Sequence, residues 1–431
     1  MKKSTLLLLV AAFLMACGNS QPQPAPSTIE NWAQFRGPNT QGISQETGLP
    51  THWSETENIA WRTPIPGESW SSPIVWGDYI FLTTATEDGA NCYVIAIDRL
   101  SGEILWSNRV FTQRANMHRH SMNSYATPTP VTDGISVFAV FADGSFVSLD
   151  FNGNINWINR DLDWHSQHGV SASPILYGDL LIFPVDHSER RAEYRRYGWH
   201  VAWDQGFVLA LDKNTGEERW RTMRGMSRLA HATPAILNVN GRNQLISPAG
   251  DVIQGFDPIS GELIWSIAAF GEPCVPSPVF GNGLVFTAPA GGQPIFAVRP
   301  NGRGDVTETH IEWTTRGHTP GMSSFLFIDP YLITFPADRV CVLNAATGEL
   351  IWEYRLGVGA MNPSPIFADG HIYAISERGI TVVLQLTGCP EQPLEIVATN
   401  RLNEEMTRAS PVVAGNRLLL RTEHYLWSIG E

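Results

Sequence analysis

The stretch Asn344-Ala-Ala-Thr-Gly-Glu-Leu-Ile-Trp352, NAATGELIW, decides the fold, because the chain rewrites it several times at uneven intervals. The clearest copies are AIDRLSGEILW ending at Trp106, ALDKNTGEERW ending at Trp220, GFDPISGELIW ending at Trp265 and VLNAATGELIW ending at Trp352. Weaker copies are SLDFNGNINW ending at Trp157 and AVRPNGRGDVTETHIEW, whose turn is enlarged before Trp313. Each passes from alternating apolar residues through Asp or Asn and a Gly-containing turn into a second alternating run that ends on Trp. That is how two antiparallel strands joined by a short loop read. The Asp or Asn side chain can cap the turn's N–H groups, and Gly supplies the positive φ of a tight turn. Trp is the one recurring letter that the turn itself does not require.

A second phrase precedes each hairpin. It begins at Ser71 (SSPIVWGDYIFLTTA), Ala126, Ser171, Ala232, Pro276, Ser323, Pro363 (PSPIFADGHIYAISE) and Ala409, eight times in all. Each copy holds two apolar runs split by a turn signal such as GD, DG, GN or DP, so one unit amounts to four strands. Units of this length and strand number predict an all-β fold, an eight-bladed β-propeller of four-stranded antiparallel blades.

The last unit stops at Glu431 one strand short, while NIAWRTPI around Trp61 reads as a Trp-bearing outer strand without a hairpin before it. Pairing the two would complete the eighth blade and close the ring without a free edge. Loop lengths can vary where strands cannot, which explains the uneven spacing. The outer-strand tryptophans Trp61, Trp106, Trp157, Trp220, Trp265, Trp313 and Trp352 are expected to dock in the seams between neighbouring blades.

The chain has 431 residues, 43% hydrophobic and 16% charged, and a net charge of −13, which disfavours nucleic acid and anionic lipid surfaces as partners. Its first residues, MKKSTLLLLVAAFLMACGNS, combine two lysines, a short apolar run and small residues before Cys17, the pattern of an export signal. Residues 1–16 are read as a lipoprotein signal peptide, 17–30 as a flexible tether rich in Gln, Pro and Ser, and 31–431 as one propeller with a long insertion at about 186–205 in the third blade. Cys92, Cys274, Cys341 and Cys389 form no CxxC pair, so neither a zinc site nor a redox pair is signalled.

The A-x-D-x-x-T-G-x-x-x-W pattern, as in Ala210, Asp212, Thr215, Gly216 and Trp220, resembles the tryptophan-docking repeat of the pyrroloquinoline-quinone-like β-propellers. That family holds quinoprotein alcohol dehydrogenases and also a non-enzymatic lipoprotein subunit of the outer-membrane protein assembly machine. The opening Trp32-Ala-Gln-Phe35-Arg36-Gly37-Pro38 looks like a less characterised exported branch. The LMAC ending at Cys17 resembles a bacterial lipobox, which implies lipidation of Cys17 and an envelope location, and Gly18 resembles sorting to an outer membrane facing the periplasm. The dehydrogenases hold their quinone with calcium, a stacking Trp and a disulfide between adjacent cysteines, and use an Asp base. This chain has no adjacent cysteines.

Strand alternation places the loops before each inner strand, and those between second and third strands, on one face. These loops hold His118, His120 and Asn123, then His165 and His168, then Arg228 and His231, then His318 and Arg408, with His187 and His200 from the long insertion. Seven of the twelve histidines, from His118 to His231, thus fall on blades two to four. Such a cluster could bind a polar ligand, hold a metal or move protons. No nucleophile-elbow spacing accompanies it. The expected function is a monomeric, lipid-anchored binding or scaffolding module that carries no cofactor or metal and meets envelope proteins or a small polar ligand. The alternative is a dehydrogenase carrying pyrroloquinoline quinone and calcium on the same face. Loop aromatics Trp70, Trp164, Trp199 and Trp203 leave carbohydrate binding as a minor option.

Overall fold

Seven four-stranded sheets and one five-stranded sheet make up the computed structural model of the chain, which describes residues 30–114, 118–189, 196–269, 271, 275–289, 293–402 and 405–431. The signal segment, Cys17, nearly all of the tether and Cys274 lie outside the described residues. Blades one to eight span residues 74–112, 131–159, 175–223, 235–268, 279–315, 326–355, 366–401 and 412–429, and the strands of each follow one another outward from the axis. Ile59–Pro64 pairs antiparallel with Tyr425–Ile429 as the outer strand of blade eight, so the two ends of the propeller close the ring as expected. No helix among the described residues is long and apolar enough to cross a membrane.

The repeated hairpin carries a repeated irregularity. Pairing shifts by one residue just before each turn, between Ala96 and Ile97, Ser148 and Leu149, Ala210 and Leu211, Gly255 and Phe256, Ala297 and Val298, and Val342 and Leu343. The bulge sets each outer-strand Trp opposite a compact residue of the third strand, as in Ala96–Trp106, Ser148–Trp157 and Ala210–Trp220. In the turn itself, Asp98 Oδ1 accepts from the N–H groups of Leu100 at 3.1 Å and Ser101 at 2.7 Å, and Gly102 takes φ of +75°.

Five tryptophans lie over the turn glycine of the next blade: Trp61 over Gly102, Trp106 over Gly153, Trp157 over Gly216, Trp220 over Gly261 and Trp313 over Gly348. Four of these indoles donate Nε1–H to a carbonyl of that turn, at Arg99, Phe151, Lys213 and Ala345, at 2.8–3.1 Å. Trp265 differs. The enlarged turn of blade five leaves no glycine to receive it; instead Gly304–Asp305 pairs in parallel with the outer strand of blade four. Trp265 is fully buried over Gly255 of its own blade, with Nε1 donating to Gln244 Oε1 at 2.7 Å. Trp352 packs against the apolar core shared with blade seven, whose outer hairpin is longer and puts no glycine beneath it.

The apolar core is divided among the seams. One buried cluster joins each successive pair of blades from one to seven, and a larger one joins blades seven, eight and one. Trp32, Leu49 and Trp53 of the N-terminal segment belong to that larger cluster. Burial between faces, at roughly 25 cal/mol per Å² of apolar surface, therefore grows with every neighbour a blade gains.

Candidate functional site

At the axis the eight inner strands begin with the Ser or Thr that precedes, in seven of the eight, a proline: Ser72, Thr129, Ser173, Thr233, Ser277, Ser324, Ser364 and Ser410. Their hydroxyls form a belt. Ser72 N–H donates to Thr129 Oγ1 at 3.0 Å, Thr129 N–H to Ser173 Oγ at 3.0 Å, and Ser173 N–H to Thr233 Oγ1 at 2.9 Å. The series resumes from Ser277 to Ser324, Ser364 and Ser410, and Ser410 N–H returns to Ser72 Oγ at 2.9 Å. Seven of the eight seams thus carry the same amide-to-hydroxyl bond.

One end of this channel is closed by residues 31–49. Val75 N–H donates to Trp32 O and Thr132 N–H to Ala33 O; the chain then crosses the axis, where Phe280 N–H meets Gln41 Oε1 and Phe367 N–H meets Gly42 O. Arg36 is the pin of this crossing. Its buried guanidinium donates only to carbonyls: Phe325 and Gln41 at 2.6 Å, Pro365 and Thr40 at 3.3 Å. With no carboxylate beside it among the described residues, burial pushes its pKa down to about 9.

Above the belt opens a cavity of about 450 Å³, floored by Phe35 and walled by Trp70, Met122, Met322, Trp199 and the belt hydroxyls. Of the residues singled out in the sequence, His120, Asn123, His168, His231 and Arg408 reach it. Asn123 Nδ2 donates to His168 O at 2.7 Å and Ser171 Oγ at 2.8 Å, tying two loops together. His168 Nδ1 and His231 Nε2 are 3.3 Å apart, and the His168 ring meets Trp199 edge-on at 4.3 Å. Burial first, then the neighbouring His168 and His120, push the His231 imidazole down to about 3, so it is neutral at pH 7. Arg408 lies 5.2 Å over the Trp70 ring with Nε on Glu377 at 3.0 Å.

The other candidates turn elsewhere. His118 and His200 are exposed beyond the cavity, His187 packs on Trp203 at 5.0 Å, and His165 sits in the loop beneath, where its carbonyl accepts from Ser188 N–H. Arg228 grips Asp251 at 2.6 Å, His318 lies over blade six, and neither Trp164 nor Trp203 lines the cavity. Sequence reasoning did not pick out the belt as cavity lining, although the eightfold Ser/Thr at the head of the inner strand was its signal. It also gave no role to Phe35 and Arg36.

The cavity was tested against the quinone and calcium of the alternative reading. Among the described residues its lining contains no Asp or Glu. Calcium takes about six to eight oxygen ligands, carboxylates prominent among them, and seven of the eight belt hydroxyls already accept a backbone N–H. The described residues of the lining do not fit that pair.

The family model described as outer membrane protein assembly factor BamB matches residues 93–192, 204–323 and 309–423. Outer membrane protein assembly factor BamB of Yersinia pestis is 22% identical over 42% of this chain and 50% of its own length. The protein of that name from Burkholderia pseudomallei is 29% identical over 36% of this chain and 39% of its own. The chain therefore spans about half or less of the curated relatives it matches. Among solved structures, BamB from Moraxella catarrhalis superposes with a TM-score of 0.60 at 15% identity, covering 86% of this chain and 97% of its own. A europium-containing methanol dehydrogenase gives 0.70 at 10% identity, covering 90% and 89%. Those likenesses are likenesses of fold.

Proposed function

Since the chain belongs to the outer membrane protein assembly factor BamB family, we propose that it is an envelope scaffold, anchored by lipid at Cys17, that binds a protein partner across the face carrying the axial cavity. One observation carries this reading. Beside a cavity whose described lining is of hydroxyls, imidazoles, Trp and Met, the same face exposes Tyr197, Val201, Met223, Met226 and Met406. Exposed apolar side chains on the face that holds a concave cavity suit a protein partner, methionine being adaptable to its shape. The His168–His231 pair and the belt offer hydrogen bonds there.

The test places a photo-crosslinking residue at Met226 or Met406, and at Ile135 or Ile259 on the opposite face, in the protein's own envelope. A discrete adduct with an envelope protein from the first pair alone is the expected result. Adducts from the opposite face alone, or none from the cavity face, would overturn it. The dehydrogenase reading is tested separately by titrating pyrroloquinoline quinone with calcium. Saturable one-to-one binding that raises the melting temperature would replace the scaffold with an enzyme.

A further inference from the structure

Blade six holds a second group of side chains away from the axis. Thr334, Cys341 and Glu353 stand directly opposite one another on its second, third and outer strands, so their side chains leave the sheet on one face. Thr334 Oγ1 donates to His318 O at 2.7 Å, which holds the loop from blade five against this row. As a result a ring nitrogen of His318, Cys341 Sγ and a Glu353 carboxylate oxygen all lie within 4.8 Å of one another. Three ligand types meet there from a loop and two adjacent strands.

Two further details bear on what they meet for. His318 Nδ1 is buried and makes no hydrogen bond, an arrangement that costs about 1–3 kcal/mol unless a partner arrives. Glu353 receives Arg339 Nη1 and the Cys341 thiol on the same oxygen, Oε2, at 3.0 and 3.8 Å, which leaves Oε1 outside those contacts.

We propose that His318, Cys341 and Glu353 bind one divalent first-row transition metal ion of the zinc class, with water in the remaining position. Imidazole, thiolate and carboxylate together are ligands that zinc and its neighbours accept, whereas calcium and magnesium favour oxygen alone. Binding forms the metal–sulfur bond as the Cys341 S–H bond breaks, and the proton passes to solvent. The site would clamp the loop from blade five onto the two outermost strands of blade six.

The experiment strips the full chain with chelator and titrates it with Co²⁺. The expected result is a thiolate-to-cobalt charge-transfer band in the near ultraviolet that saturates at one ion per chain and is displaced by Zn²⁺. Cys341→Ser abolishes the band. Glu353→Gln, on an exposed outer strand, keeps the fold and weakens cobalt binding by about tenfold or more. A wild-type chain without the band at saturating Co²⁺ overturns the proposal, as does a band that persists in Cys341→Ser. Should Cys341→Ser fail to fold, unchanged cobalt affinity in both Glu353→Gln and His318→Asn overturns it equally.

Discussion

Replacing Gly216 by Ala should weaken the seam between blades two and three far more than its one methyl group suggests. Gly216 has φ of +76°, and a Cβ built on it would lie 2.6 Å from Trp157 Cε3 and 2.7 Å from Cδ2. The left-handed backbone costs an alanine roughly 1–2 kcal/mol. Displacing the indole then breaks its Nε1–H bond to Lys213 O, 2.8 Å long, worth about 1 kcal/mol. Poorer packing of a large half-buried ring adds roughly 1–2 kcal/mol. The control is Gly241→Ala, with φ of +84° and nothing within 4 Å of its Cβ, which isolates the backbone cost. Urea unfolding should show Gly216→Ala destabilised by about 2–3 kcal/mol more than Gly241→Ala. In a Trp157→Ala background that excess should vanish, because the two changes act on one contact. Equal destabilisation by the two glycine substitutions, within about 0.5 kcal/mol, would refute the docking argument.

Ser324→Ala should cost about 1–3 kcal/mol by orphaning the buried Ser277 N–H, and Ser324→Thr should restore most of it, both read from denaturant midpoints. Arg36→Met should lower stability by about 2 kcal/mol, since four carbonyls lose their donor, and Arg36→Lys should rescue little because one ammonium cannot span them. His231 is held neutral in the fold, so the unfolded chain binds the extra proton; stability should fall as pH drops from about 6.5 to about 3, and His231→Asn should flatten that slope in a melting series.

The blade count and ring closure were legible because both rest on local signals. Asp98 with Gly102, or Asp212 with Gly216, specifies a turn from within a few residues, and the eightfold phrase at the head of the inner strand leaves few ways to stack the units. Trp265 shows where that reasoning stops. Its hairpin reads like the others, yet its place was set by the enlarged turn beginning some thirty residues later, which folds back as a fifth strand. The cavity was half legible. Alternation put the histidine loops on one face, but the convergence of His120, His168 and His231 depends on how loops pack. The residue 196–206 segment pairs with Ser227 through Trp203 and draws His187 away from the mouth. Arg36 was opaque because its contacts reach blades hundreds of residues distant, at Pro365 and Phe325.

The hydroxyl belt bears on how such a ring could arise. Every link uses the amide of one blade and the hydroxyl of the next, with the same two groups at the same position each time. A copied blade would thus arrive with both halves of its axial joint already in place, able to accept from the unit before it and donate to the unit after. Gene duplication could lengthen an ancestral ring without inventing a new contact at the centre, and later divergence would fall on the loops that surround the mouth.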